Sequence, residues 1–155
     1  MKEERPGRGD PEGHAEAVWR ALVRGRSKAR RVALVAHSYG GVVALELAKE
    51  FGADFMQRVF SVSMTDSVHQ ERLQRLPEKP ELLKRLVSIS LNFVASDRGV
   101  GERAEEDERQ AWRIRRVSAG HDTHEWTSFA ATEKLFERLD MMYADEAATI
   151  PKAEL

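Results

Sequence analysis

Residues 31–42 read Arg-Val-Ala-Leu-Val-Ala-His-Ser-Tyr-Gly-Gly-Val, and this stretch decides the fold class. The apolar run Val32–Ala36 predicts a short strand, and Val42–Phe51 predicts a helix that follows at once. Between them Ser38 stands in the pattern Ala-x-Ser-x-Gly (36–40), whose small outer residues suit the tight strand–serine–helix turn called a nucleophile elbow. These five residues alone are equally consistent with a nucleophile elbow and with an ordinary strand–helix turn that contains a serine. The choice between the two depends on the rest of the sequence.

Length and composition exclude several classes of protein. The 155 residues suffice for one domain with a core, although a complete α/β-hydrolase domain usually needs more than about 200. The 25 basic and 26 acidic residues nearly cancel, so no overall field favours nucleic acid or a membrane. The absence of cysteine excludes a disulfide framework and a thiolate zinc site. Because there is neither a long apolar run nor a signal-peptide pattern, we expect an intracellular protein.

The order of the predicted elements indicates an α/β fold. We expect residues 1–13 to be disordered, residues 14–143 to form the C-terminal half of an α/β-hydrolase-like domain, and residues 144–155 to be a polar tail. The expected elements after the first strand and its helix are a strand at Arg58–Met64, helical structure at 67–87 broken at Pro77 and Pro80, a strand at Ser88–Ala95, a loop at Ser96–Arg109, a strand at Trp112–Ser118 and a helix from Thr127 or Ser128 to about Tyr143. A helix is also expected at Ala15–Val23. This succession predicts a mostly parallel sheet of about four strands with helices on both faces.

A residue suited to catalysis follows each predicted strand. The carboxyl ends of parallel strands meet at one edge of a sheet, where functional residues gather. The order serine, acid, histidine is the chain order of α/β-hydrolase triads. In strand order the four residues are Ser38, Asp66, Asp97 and His124. The residues therefore predict a serine-type site, and they leave Asp66 and Asp97 as alternative acids.

Three stretches of this chain resemble one family. They are Ala-Val-Trp and Arg-Arg-Val-Ala-Leu-Val-Ala-His-Ser-Tyr-Gly-Gly within 17–41, Met-Thr-Asp-Ser-Val-His at 64–69, and Val-Ser-Ala-Gly-His-Asp-Thr-His-Glu-Trp-Thr-Ser-Phe at 117–129. Together they resemble, from about residue 15 to 140, the Arb-two domain, which is the Argonaute-binding-protein domain of fungi that animal cotranscriptional regulators share.

The resemblance implies an α/β-hydrolase-like fold and a role in small-RNA-linked heterochromatin formation or in alternative splicing. We therefore expect the protein in the nucleus, with the cytoplasm or the ER as alternative locations. It also implies Argonaute-type and chromatin or splicing proteins as partners. Carried over residue by residue, it assigns the family serine to Ser38, the Thr-Asp-Ser aspartate to Asp66 and the His-Glu histidine to His124. His121 falls at a variable position, and the match around Asp97 is weak, so we favour Asp66 as the acid.

If the site is catalytic, Ser38 attacks an acyl carbon, His124 takes the proton and the acid orients His124. The backbone N–H of Tyr39 would be one oxyanion donor, whereas the second comes, in this fold, from the loop after an earlier strand. We expect that strand to be missing here, and losing one donor costs about 2.7–4 kcal/mol, which predicts a poor catalyst. An Asx-turn or helix-capping role for Asp66 is an equal alternative.

Other polar clusters favour structural roles. His69, His121, Asp122 and His124 match no zinc template, so we expect no metal and no cofactor. We expect His37 to be a buried imidazole bonded to backbone. The basic residues lack interleaved aromatics, so any RNA contact should be indirect, through a protein partner. These residues are Arg24, Arg26, Lys28, Arg30, Arg31, Arg113, Arg115 and Arg116.

The first strand should be an open edge. In α/β-hydrolases the elbow strand is central and has neighbours on both sides, whereas we expect this chain to supply only the last four strands. We therefore expect a fragment of a longer protein, or less favourably a chain that pairs with another, and an isolated chain that aggregates or oligomerises.

Overall fold

The structure is a computed structural model that describes residues 9–76, 78–104 and 112–149. Four strands alternate with helices along the described chain. The helices are α1 (Pro11–Val18, continued by a π-helical segment Trp19–Arg24), α2 (Gly40–Arg58), α3 (Gln70–Gln74), α4 (Pro80–Ile89) and α5 (Thr127–Thr149). The strands are β1 (Val32–His37), β2 (Val59–Thr65), β3 (Ser90–Val94) and β4 (Arg116–Ser118).

The four strands form one parallel sheet in the order β1-β2-β3-β4. This confirms the predicted α/β class. Because all strands run the same way, the residues that follow them meet at one edge of the sheet. β1 pairs only with β2 among the described strands, as expected for an open edge, and Val35 on it is 57% exposed.

Helices cover both faces of the sheet. On one face α2 and α4 pack through a cluster that includes Phe55, Val62 and Leu86. On the other face α5 packs on β2 and β3, and a second cluster there includes Phe93 and Leu135. Apolar residues on two faces of a sheet require this layered arrangement, since each face must be removed from water.

A buried tryptophan joins α1 to this scaffold. The Trp19 ring is 2% exposed and lies 5.6 Å and 5.8 Å from the Phe51 and Phe55 rings of α2, measured between centroids. Its indole N–H donates to Asp54 Oδ2 at 3.0 Å, and Arg58 Nε donates to Asp54 Oδ1 at 2.9 Å. Burial raises the pKa of Asp54, but these hydrogen bonds outweigh it and hold the pKa below its usual value.

Two predicted boundaries at the chain ends differ from the structure. α1 begins at Pro11, inside segment 1–13 that was predicted to be disordered, because Asp10 accepts a hydrogen bond from the Gly13 N–H and proline suits the first helical position. Residues 1–8 lie outside the described residues. α5 extends to Thr149, into the predicted tail 144–155, where Glu146 forms an ion pair with Arg85 at 2.8 Å.

The last strand is also shorter than predicted. The pattern at Trp112–Ser118 predicted seven strand residues, but only Arg116–Ser118 pair with β3. The Trp112 carbonyl instead accepts hydrogen bonds from the side-chain amides of Gln70 and Gln74. The backbone at Trp112 is therefore hydrogen-bonded to side chains of α3 and not to a neighbouring strand. Pro77 and residues 105–109 of the predicted loop lie outside the described residues.

Candidate functional site at the carboxyl edge of the sheet

Ser38 adopts the backbone conformation of a nucleophile elbow. Its φ is 53°, in the left-handed region that a residue with a Cβ rarely enters. The Ser38 N–H donates to the Thr65 carbonyl at 2.9 Å, and the Ser38 carbonyl accepts from the Gly41 N–H at 3.3 Å. These bonds tie the turn to both β2 and α2. Such strain costs on the order of 1–3 kcal/mol and is typical of functional sites.

Two glycines after Ser38 meet different surroundings. A Cβ at Gly40 would stand 3.5 Å from the Ala36 Cβ, an ordinary contact, so alanine fits there. A Cβ at Gly41 would overlap the Ser67 hydroxyl and stand 2.8 Å from the Ser67 Cβ. The close approach that requires glycine is therefore at Gly41, where α2 crosses the loop after β2, rather than at the pattern position Gly40.

Asp66 is held by three contacts, two with the end of β3 and one with His124. Its φ is 44°, also left-handed, and its N–H donates to the Phe93 carbonyl of β3 at 2.7 Å. Its Oδ1 accepts from the Ala95 N–H at 3.1 Å, and its Oδ2 lies 2.7 Å from His124 Nδ1. The carboxylate thus orients the imidazole, as the acid of a triad does.

An asparagine supports this loop from the neighbouring strand. Asn92 is 2% exposed, and its side-chain amide both accepts from the Ser67 N–H at 3.1 Å and donates to the Ser67 carbonyl at 3.4 Å. The Ser67 hydroxyl lies 2.9 Å from Nδ1 of buried His69. Burial, with a smaller contribution from Arg116, lowers the pKa of His69 to about 4, so this histidine is neutral near pH 7. Sequence reasoning missed Asn92, although an amide in an apolar strand is a recognisable signal.

His124 begins a short 3₁₀ helix (His124–Trp126), and its side chain is partly exposed. The His37 ring lies 4.6 Å from the His124 ring, measured between centroids. His37 is exposed and its Nδ1 lies 3.1 Å from Thr65 Oγ1 and 3.3 Å from Ser128 Oγ, so the prediction of a buried, backbone-bonded imidazole was wrong. Ser128 lies in the first turn of α5, so that helix contributes a hydroxyl beside His37 and Thr65.

The remaining candidates lie apart from the Asp66–His124 pair. Asp97 is exposed and makes no hydrogen bond to His124. His121 accepts from the Thr123 N–H at 3.0 Å and lies 6.1 Å from the Trp126 ring, between centroids. Within residues 9–76, 78–104 and 112–149, no cluster of three potential metal ligands is present.

Ser38 and His124 share the edge of the sheet without a mutual hydrogen bond among the described contacts. Such bonds are often long in ligand-free enzymes and tighten only when substrate is bound. The geometry therefore joins the acid to the histidine and places a strained serine at the end of the adjoining strand.

A known family model matches almost the whole chain. A sequence model of the alpha/beta hydrolase family matches residues 4–153. The chain belongs to the alpha/beta hydrolase family. No solved structure shows a significant match. No helix in the part of the chain that the structure describes is long and apolar enough to span a membrane.

Several relatives of this alpha/beta hydrolase chain are named as regulators. It is 33% identical over 132 residues to the Cotranscriptional regulator ARB2A homolog of Xenopus tropicalis, covering 85% of this chain and 30% of that protein. It is 33% identical over 129 residues to the Cotranscriptional regulator ARB2A of Mus musculus, covering 83% of this chain and 30% of that protein. The Cotranscriptional regulator ARB2A homolog of Dictyostelium discoideum is 31% identical over 115 residues, covering 72% of this chain and 28% of that protein. The chain thus spans about a third or less of the length of these relatives.

Proposed function

We propose that this chain belongs to a cotranscriptional regulator of the Arb-two type. The observation that carries the proposal is the 33% identity to vertebrate proteins named cotranscriptional regulators, over 83–85% of the chain. The protein acts in the nucleus through Argonaute-type and chromatin or splicing proteins, in small-RNA-linked heterochromatin formation or alternative splicing. RNA contact is indirect, which the nearly balanced charge of 25 basic and 26 acidic residues supports.

Affinity capture of the tagged full-length protein from nuclear extract tests this role. We expect Argonaute-type and chromatin or splicing proteins to be enriched over a tag-only control, with and without ribonuclease, because the contacts are between proteins. Ser38→Ala should retain these partners, since a hydroxyl deletion leaves the fold intact. Absence of enrichment, or its loss on ribonuclease treatment, would contradict the proposal.

The second candidate function is that of a serine esterase, which the 2.7 Å contact between Asp66 Oδ2 and His124 Nδ1 favours. In this mechanism Ser38 Oγ forms a bond to an acyl carbon while its proton passes to His124. The same proton then moves to the leaving alkoxide, and water releases the acyl group by the reverse path. Asp66 holds the imidazole in the required orientation, and the Tyr39 N–H stabilises the oxyanion.

Hydrolysis of p-nitrophenyl butyrate by the full-length protein tests the esterase function. We expect turnover that Ser38→Ala abolishes, with an unchanged melting temperature. Equal turnover by the wild type and by Ser38→Ala would show that Ser38 is not the nucleophile and would contradict the esterase function. The outcome is independent of partner capture, so the two functions are tested separately.

A further inference from the structure

A partly buried cation without an acidic partner lies at a distance from the serine site. Arg138 lies on the inner face of α5, where Nη1 donates to the hydroxyls of Ser61 and Ser63 and Nη2 donates to the Ile89 carbonyl at 2.7 Å. Within the described chain no carboxylate forms an ion pair with it, whereas Arg85 on α4 is paired with Glu146. Burial, and then Arg115, lower the pKa of Arg138 to about 10, so the guanidinium stays charged at neutral pH.

Removing an unpaired charge from water is costly even when the removal is partial, and proteins often neutralise such a charge with an acidic group. The three hydrogen bonds of Arg138 go to two hydroxyls and a carbonyl, which solvate the cation without cancelling its charge. A guanidinium has five N–H donors, so two remain for another acceptor. A carboxylate matches such a pair of donors and supplies the missing charge.

The space beside Arg138 is a groove of about 530 Å³ between α5 and the β3–β4 side of the sheet. This volume lies within the range of small-molecule sites. Lys134 and Glu137 on its wall neutralise each other at 2.7 Å, and the other charged groups that line it are Arg115, Arg138 and Asp145. Its apolar lining consists of Val87, Leu91, Phe93, Val117, Met141 and Met142.

The groove is separate from the serine site. Arg138 bonds to Ser61 and Ser63 within β2, whereas Asp66 follows the end of that strand. Ser63, the nearer of the two serines, precedes Asp66 by three residues, which correspond to roughly 10 Å of extended chain. None of Ser38, Asp66 and His124 lines the groove.

We propose that this groove binds an amphipathic carboxylic acid, with its carboxylate on Arg138 and its hydrocarbon chain along the apolar wall. The charge of Arg138 selects the headgroup, and burial of the chain supplies the larger part of the affinity. This is a binding site in addition to the serine site, and it needs no reaction there.

Isothermal titration of the full-length protein with dodecanoate, below its micelle-forming concentration, tests the proposal. We expect saturable binding near one equivalent, and binding of dodecanol at least about tenfold weaker, because dodecanol lacks the charge-assisted hydrogen bonds. Arg138→Gln should weaken dodecanoate binding by a similar factor and leave dodecanol unaffected. Equal affinity for the two probes, or no saturable binding of dodecanoate, would overturn the proposal.

A second variant covers the case in which Arg138→Gln fails to fold. Met141 lines the groove and is 63% exposed, so Met141→Glu should fold and repel the carboxylate, weakening dodecanoate binding at least about fivefold. Phe136→Glu is the matched control, because Phe136 is 57% exposed on the same helix and lies outside the groove. Equal weakening by both variants would overturn the assigned location.

Discussion

Replacing Gly41 with alanine should destabilise the fold, whereas the same change at Gly40 should not. A Cβ at position 41 overlaps the Ser67 hydroxyl and lies 3.2 Å from Met64 Sδ, so Ser67 or α2 must move. Overpacking of this kind costs about 1–3 kcal/mol. Displacing the Ser67 hydroxyl also removes the partner of buried His69 Nδ1, which costs about 1–3 kcal/mol more.

Alanine is a better helix former than glycine by about 1 kcal/mol, which offsets part of this cost. The net expectation for Gly41→Ala is a loss of about 1–5 kcal/mol in the free energy of unfolding, or roughly 2–20 °C in melting temperature for a chain of this size. Gly40→Ala meets only the Ala36 Cβ at 3.5 Å and should be neutral or slightly stabilising. Urea unfolding followed by circular dichroism measures both. Equal stability of the two variants would refute the close packing of α2 on the Ser67 loop.

Three further changes test other parts of the structure. His69 has an unfolded pKa of 6.5 and a folded pKa of about 4, so the unfolded state binds the proton first, and stability should fall by about 3 kcal/mol as pH drops from 7 to 4. Free energies of unfolding from urea titrations at pH 7 and pH 4 should differ less for His69→Gln than for the wild type, and an equal difference in the two proteins would contradict this. Asn92→Ala leaves the Ser67 N–H without its acceptor and should lower the free energy of unfolding, measured with urea, by about 1–3 kcal/mol. A variant as stable as the wild type would show that the Asn92–Ser67 hydrogen bonds do not stabilise the loop. Trp19→Phe keeps the aromatic packing but removes a donor from Asp54, so we expect a loss of about 1 kcal/mol. This loss should disappear when Asp54→Ala, which removes the acceptor, is also present, and additive losses would contradict the pairing.

The sequence predicted the elements that depend on local pattern. The alternation of apolar strands and helices identified the parallel sheet, and the small residues around Ser38 identified the turn. The start of α1 was also readable, since Asp10-Pro11 is a capping signal that the prediction of disorder overlooked.

The rest depended on contacts between distant parts of the chain. Asp66 and Asp97 both follow strands, and only the paths of their loops decide which reaches His124, 58 residues from Asp66. Asn92 meets Ser67 across 25 residues, which no local pattern encodes. The exposure of His37 likewise depends on which helix covers β1.

Fluorophosphonate labelling of the full-length protein tests most directly whether Ser38, His124 and Asp66 form one reactive site. We expect labelling of the wild-type protein that Ser38→Ala abolishes and that Asp66→Asn slows by on the order of 10²–10⁴-fold, because the imidazole loses its orienting acid. Asp97→Asn is the matched control and should label within about twofold of wild type, since Asp97 is exposed and makes no hydrogen bond to His124. Unlabelled wild-type protein, or a larger effect of Asp97→Asn than of Asp66→Asn, would contradict the assigned site.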